Sequence, residues 1–285
     1  MTSPVPTITL NNGVEMPLLG FGVFQVPAEE TEEAVLNALE VGYRSIDTAA
    51  IYNNEKAVGK AIAASGIPRE ELFITTKLWI SDAGEKTGID AFERSCEKLG
   101  IETLDLYLIH QPFGDTHGAW RALEHLLEEG RTRAIGVSNF HIDRIQDLIE
   151  TNTIVPAVNQ IEYHPFYQRT ADREFLTSRG IVTEAWSPFA QGVNGLFTHP
   201  LLNEIAATHE RTVAQIVLRW LVQQDVIVIP KSVHRERMAE NFDIFTFELS
   251  DDEIATIGEL DAGVPIFLDH HSPDLATFLH SRRPE

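Results

Sequence analysis

Three things are scarce in this sequence. Cysteine is the first: Cys96 is the only one among 285 residues. That excludes an internal disulfide and fits a reducing compartment. Cations are the second, with 22 Lys and Arg against 43 Asp and Glu and a formal charge of −21. Such a chain repels nucleic acid and anionic lipid, so any phosphorylated ligand has to be met by cations gathered locally. Long apolar runs are the third. None approaches the ~18 residues that read as a membrane span, and Met1–Pro6 has neither the basic nor the apolar region of a secretory leader. The expectation is a cytoplasmic protein that engages neither membrane nor nucleic acid.

What is present is a 43% apolar share, enough for a sizeable core. Ile8–Met16 reads as a β-hairpin turning at Asn12-Gly13. After it, extended apolar runs recur at Leu18–Phe24, Ser45–Asp47, Leu72–Lys77, Leu104–His110, Ala134–Val137, Ala157–Gln160, Ile181–Ala185 and Val226–Ile229. Helical patterns lie between them. Gly42, Gly66 and Gly100 close the first three, and further helices fall near 119–129, 142–150, 171–179, 201–208, 213–224 and 235–241. Cys96 shares one helical face with Ile89, Phe92 and Leu99 and reads as a small core residue. Ser250 and Glu253 form a capping box for a last helix. Eight strand–helix units in about 250 residues predict a (β/α)8 TIM barrel, an α/β fold with an N-terminal hairpin and two additional helices. A doubly wound sheet would want a third glycine after Gly20 and Gly22, and none follows. No linker or compositional break divides residues 1–285, so one domain is expected.

In a barrel the strand ends converge on one face, which carries the chemistry. The residues closing successive runs are Asp47, Lys77, His110, Asn139, Gln160, Trp186 and Lys231. Taken alone, Asp47 and Tyr52 would be a turn acid and a surface phenol, Lys77 half of a structural ion pair, and His110 a hydrogen-bonded core histidine. Ionisable groups at the ends of buried strands are costly unless they meet, and the spacings 47, 77 and 110 each match one strand–helix unit. Together they make a coherent acid–base site. A phenol is a poor acid at neutral pH; a neighbouring ammonium would stabilise its phenolate and bring its pKa down. Asp47 would hold Lys77 charged, and His110 would position a carbonyl oxygen. A site that protonates an oxygen becoming an alkoxide calls for a hydride donor.

The motifs Gly20-Phe-Gly-Val-Phe24, Ser45-Ile-Asp-Thr-Ala-Ala-Ile-Tyr-Asn-Asn-Glu55, Ile74-Thr-Thr-Lys-Leu-Trp79, Asp105-Leu-Tyr-Leu-Ile-His-Gln-Pro112, Ile135-Gly-Val-Ser-Asn-Phe140, Asn159-Gln160 and Ile229-Pro-Lys-Ser-Val233 resemble those of the aldo-keto reductases. The likeness runs from about Leu10 to Phe247. It implies a catalytic tetrad of Asp47, Tyr52, Lys77 and His110 with Tyr52 as general acid. It also implies that Ser138, Asn139 and Gln160 hold a nicotinamide carboxamide and that Trp186 stacks on the ring. Gly22, Val23, Phe24, Asp47, Ser187 and Phe189 would border the same cofactor.

The segment from Lys231 to Arg237 gathers Lys231, Arg235 and Arg237 at a helix start, an anion site in an acidic protein. Similarity to the family makes Lys231, Ser232 and Arg237 contacts of a 2′-phosphate, with Val233 and His234 beside them and Glu240 and Asn241 on the adenine. The expected cofactor is therefore NADPH. His234 stands where close bacterial relatives often carry arginine. Phe24, Tyr52, Trp79, His110 and Gln111 would meet the substrate, a small carbonyl compound, with Phe113 and Phe189 completing an aromatic mouth. Gln111 replaces a tryptophan that many members carry, and the short 111–120 connection suggests an open pocket of broad specificity. Phe267 and Leu268 are placed to fold over that mouth. The pattern is similar to bacterial 2,5-diketo-gluconate reductases, and the resemblance implies a monomer. The alternative on the same fold is a non-enzymatic nucleotide-sensing subunit. A metal hydrolase would need His and carboxylate ligands at several strand ends; His270 and His271 lie in the tail and His164, beside Pro165, follows a strand, and none forms a recognisable ligand set.

Overall fold

A short antiparallel hairpin precedes the alternating part of the chain. The structure is a computed structural model that describes residues 5–285. In it β1 (Thr7–Thr9) pairs with β2 (Glu15–Pro17), Ile8 opposite Met16. Gly13 turns the chain at φ 85°, a backbone that a Cβ disfavours. The Asn11 and Asn12 side chains donate to the Pro156 and Arg133 carbonyls at 3.0 and 2.9 Å. Those carbonyls lie near the starts of two later strands, so the hairpin covers the N-terminal end of the sheet.

The alternation then runs β3 (Phe21–Gly22), α1 (Ala28–Val41), β4 (Ser45–Asp47), α2 (Glu55–Ala64), β5 (Phe73–Leu78), α3 (Glu85–Leu99), β6 (Leu104–Ile109), α4 (Thr116–Glu128), β7 (Thr132–Ser138), α5 (Ile142–Thr151), β8 (Val158–Glu162), α6 (Thr170–Ser178), β9 (Val182–Trp186), α7 (Pro200–Thr208), α8 (Val213–Val222), β10 (Ile227–Val228) and α9 (Arg235–Phe242). The eight strands β3 to β10 pair in chain order, all parallel. Leu19 bridges Val228, with the Gly20 N–H donating to the Val228 carbonyl at 2.8 Å and the Val228 N–H to Leu18 at 3.0 Å, and this closes the ring. The expected barrel is the fold. Strands covered on both faces read as near-continuous apolar runs, and every residue of β5 and β6 is buried. Among the described residues no helix is long and apolar enough to cross a membrane.

Cys96 lies in the core, where burial pushes its thiol up to about 12, so it fills space rather than reacts. Where α2 crosses α3, a Cβ on Gly59 would stand 2.4 Å from the Leu99 carbonyl oxygen. Overpacking of this kind costs about 1–3 kcal/mol. That exceeds the roughly 1 kcal/mol alanine gains over glycine in a helix, because the atom struck is main chain. Gly59→Ala is therefore expected to lower the urea midpoint, and a midpoint at or above the wild type's would refute the close approach.

Beyond the barrel helices lie α7, α10 (Asp251–Gly258), which the Ser250–Glu253 capping box opens, and α11 (Pro273–His280). The first two match the additional helices expected; α11 is a third. Its local signal is confined to the Ser272 cap and to Pro273 at its first position. It is stabilised by contact: Leu275 and Leu279 pack on Trp79 and Ile80. The Trp79 indole also donates to the Arg282 carbonyl at 3.0 Å.

Candidate active site

Residues that alternate along a barrel strand point alternately inward, and at the C-terminal ends of these strands the inward positions are polar. Asp47 ends β4, Lys77 lies near the end of β5, His110 follows β6, and Ser138 and Asn139 leave β7. Gln160 lies on β8, Glu184 and Trp186 on β9, and Tyr52 ends the single turn Ala50–Tyr52 that follows β4.

Lys77 is 0% exposed, and its Nζ donates to Asp47 Oδ1 at 2.6 Å and to the Thr48 carbonyl at 2.9 Å. Burial works against this ammonium. Asp47, with Tyr52 and Glu184, outweighs burial and holds the lysine above its ordinary value, so it stays charged. The same Nζ lies 5.1 Å from the centroid of the Tyr52 ring. Tyr52 departs from expectation. Burial pushes the phenol up, and Lys77 only partly opposes it, so the ammonium does not bring Tyr52 below the usual phenol range. Tyr52 thus holds its proton at neutral pH, with the Lys77 ammonium facing its ring.

His110 packs edge-on to Tyr52 at 5.6 Å and to Trp79 at 5.2 Å. Burial, with Lys77 and His270 adding to it, keeps its imidazole well below the usual histidine value, and its buried Nδ1 has no partner. It is a neutral ring that can donate one hydrogen bond from Nε2. Phe24 is 49% exposed at the rim and tilts against Tyr52 at 5.0 Å.

Asn139, at φ 66°, ties three strands: its Nδ2 donates to the His110 carbonyl at 3.1 Å and to Ser138 Oγ at 3.0 Å, and its Oδ1 accepts from the Trp186 indole at 2.9 Å. The indole is fixed by its edge. Ser138 Oγ donates to the Gln160 carbonyl at 2.9 Å. Gln160 Nε2 donates to Asp47 Oδ2 and to Glu184 Oε2, both at 2.9 Å, which leaves the amide oxygen for a ligand.

A cavity of about 210 Å³ opens beside this cluster, bordered by Asn139, Trp186, His141, Tyr167 and His270. The C-terminal tail closes one side of it. Glu162 accepts from the Ile266 and Phe267 N–H groups at 2.8 and 3.4 Å, and Phe267 reaches Trp186 at 6.1 Å. His270 hydrogen-bonds to Gln111 Oε1 at 2.7 Å and stacks on Phe113 at 6.2 Å. Gln111 is therefore engaged with the tail, and the mouth is more covered on this side than the short connection implies.

Lys231, Ser232, Val233, His234 and Arg237 fall together between β10 and the first turn of α9. Lys231 and Arg237 are exposed, and the Ser232 hydroxyl accepts from the His234 N–H at 3.1 Å. Arg235 does not join them: it turns to Glu40 and Asn37 of α1. Glu240 accepts from Thr212 at 2.7 Å, and Asn241 is buried. Phe189 packs on Phe197 at 5.7 Å, and Ser187 takes φ 51° just after β9. Sequence reasoning missed Glu184, a carboxyl inside an apolar run. Its signal was the spacing of two from Trp186, which puts both on the inward side of β9.

A phenol, an ammonium, a carboxylate and a neutral imidazole thus meet at the C-terminal mouth of a parallel barrel. The model of the Aldo/keto reductase family matches residues 18–262, and the chain belongs to that family. It is 49% identical to an aldo-keto reductase of Mycolicibacterium smegmatis over 276 residues, covering 96% of this chain and 98% of that one. It is also 49% identical to a glyoxal reductase of Bacillus subtilis, covering 91% and 94%. Among solved structures, the Bombyx mori aldo-keto reductase in complex with NADP superposes with a TM-score of 0.88 at 35% identity, covering 92% and 94%.

Proposed function

We propose that this protein reduces small aldehydes and ketones, α-dicarbonyls and keto-sugar acids among them, to alcohols with NADPH. Tyr52 is the general acid, and the protein works as a monomer in a reducing cytosol. The observation that carries the reading is the Lys77–Asp47 pair facing Tyr52, with a neutral His110 beside the phenol.

The residues present fit the cofactor. Gln160 has its amide oxygen free, Trp186 is fixed by its edge and borders the cavity, and the exposed Lys231 and Arg237 flank the start of α9, where backbone N–H groups favour an anion. Ser138, Asn139 and Gln160 would hold the carboxamide, and Lys231, Ser232 and Arg237 the 2′-phosphate. When bound, NADPH supplies the hydride. His110 donates from Nε2 to the substrate oxygen and fixes its position. Tyr52 gives its proton to that oxygen, and Lys77, held charged by Asp47, stabilises the phenolate left behind. The resemblance of the Bacillus subtilis glyoxal reductase supports α-dicarbonyls as substrates.

The test is a panel of α-dicarbonyls, aldoses and keto acids assayed with both nicotinamide cofactors. The expected outcome is steady turnover of several members, with kcat/KM for NADPH at least about tenfold above NADH, the equivalent of 1.4 kcal/mol at the phosphate. Equal kcat/KM with the two cofactors would remove the phosphate assignment. Absence of turnover would leave a nucleotide-sensing subunit as the better description.

A further inference from the structure

Glu184 is 0% exposed on β9, in register with Gln160 of β8 and Ile227 of β10. Its Oε2 accepts from Gln160 Nε2, the nitrogen that also serves Asp47 Oδ2, and its Oε1 meets no partner. One amide therefore ties two buried carboxyls together. Among the described residues the cation facing them is Lys77, whose Nζ is already engaged by Asp47 at 2.6 Å and by the Thr48 carbonyl. There are two carboxyls and one ammonium. Ionising both would leave a negative charge without a counterion in a dry interior, which proteins avoid by keeping one group protonated. Asp47 holds the ammonium, so Glu184 is the group that keeps its proton.

We propose that Glu184 is a positioning residue of the reaction: a neutral carboxylic acid that holds the Gln160 amide and keeps the Asp47–Lys77–Tyr52 cluster in charge balance, and whose ionisation weakens Tyr52 as a proton donor. The groups facing it are Asp47 from β4, Tyr52 from the turn after β4, Lys77 from β5 and the uncharged Gln160 from β8, while its β10 neighbour Ile227 is apolar. Burial, and then Asp47, push the Glu184 carboxyl up to about 8, against the opposing pull of Gln160 and Lys77. Burial is what chiefly raises Tyr52, and a charge on Glu184 raises it further. A phenolate next to an ionised Glu184 is less favourable, so donation slows. The effect on Tyr52 rests on the reading of that residue as the acid; the protonation of Glu184 does not.

The experiment compares wild type with Glu184→Gln, which copies the neutral acid in shape. The infrared difference spectrum should show a protonated-carboxyl C=O stretch at neutral pH that fades as pH rises through about 8 and is absent from the variant. The wild type should lose melting temperature relative to the variant between pH about 4.3, where an unfolded glutamate ionises, and about 8, because over that window the folded acid holds a proton the unfolded chain has released. In turnover, wild-type kcat should fall about tenfold as Glu184 ionises, one pKa unit's worth of acidity at Tyr52, while the variant lacks that limb and keeps its KM. A missing infrared band overturns the proposal, and the wild-type titration alone supplies that result if the variant does not fold. A band with unchanged kcat profiles overturns the positioning role. Full activity in Tyr52→Phe, with the band intact, would instead overturn the assignment of Tyr52 as the acid, and absence of turnover in the wild type would overturn the proposed function.

Discussion

Tyr52→Phe is expected to lower kcat for carbonyl reduction by about 10²–10⁴-fold, the range a positioned general acid contributes, while cofactor affinity stays within about threefold. The change removes one oxygen from a ring whose packing against Phe24 and His110 stays in place. Lys77, still paired with Asp47, is left with no phenolate to stabilise. The loss should sit in kcat rather than in KM, because the proton moves only as the alkoxide forms. The measurement is steady-state kinetics alongside cofactor titration by intrinsic fluorescence. If the variant kept more than a tenth of the rate, the proton would come from elsewhere, and the neutral imidazole of His110 would be the next donor to test.

Lys77→Met is expected to cost about 3–5 kcal/mol of stability, as when one partner of a buried ion pair is removed, and to abolish detectable turnover. Methionine replaces the aliphatic stem but leaves the Asp47 carboxylate buried, with Gln160 as its remaining side-chain donor. The penalty has a pH signature. An unpaired buried carboxylate is costly only while it is charged, so the cost is full at neutral pH and smaller in acid. Asp47→Asn placed on top of Lys77→Met should recover part of the stability and none of the activity. Urea unfolding of both variants at acidic and neutral pH checks this, and a loss below about 1 kcal/mol for the single variant would contradict the pairing.

Much of this site is readable from strand ends. Asp47, Lys77 and His110 each close a buried run where an ionisable group is costly, and spacings of one strand–helix unit bring them to one mouth. Four features are hidden for physical reasons. Glu184 sits inside an otherwise apolar strand, and only the pairing of β8 with β9 places it against Gln160. The Tyr52 phenol is set by a contest between burial and Lys77; sequence shows the lysine but not the depth of the ring. Arg235 shares its segment with Lys231 and Arg237, yet it is drawn off by Glu40 across the α1–α9 contact, a tertiary event without local signal. The tail is the same kind of case, since α11 is held by packing on Trp79 and Ile80 more than by its local signal.

The seam between Leu19 and Val228 joins positions roughly two hundred residues apart in the chain. During synthesis the first strand must wait for the last, and until then both β3 and β9 present unpaired edges to other chains. Contacts of such long sequence separation form slowly. Between emergence of β9 and arrival of β10 the nascent protein is thus most prone to self-association. Its yield on expression should depend on conditions that hold this interval short or shield those edges.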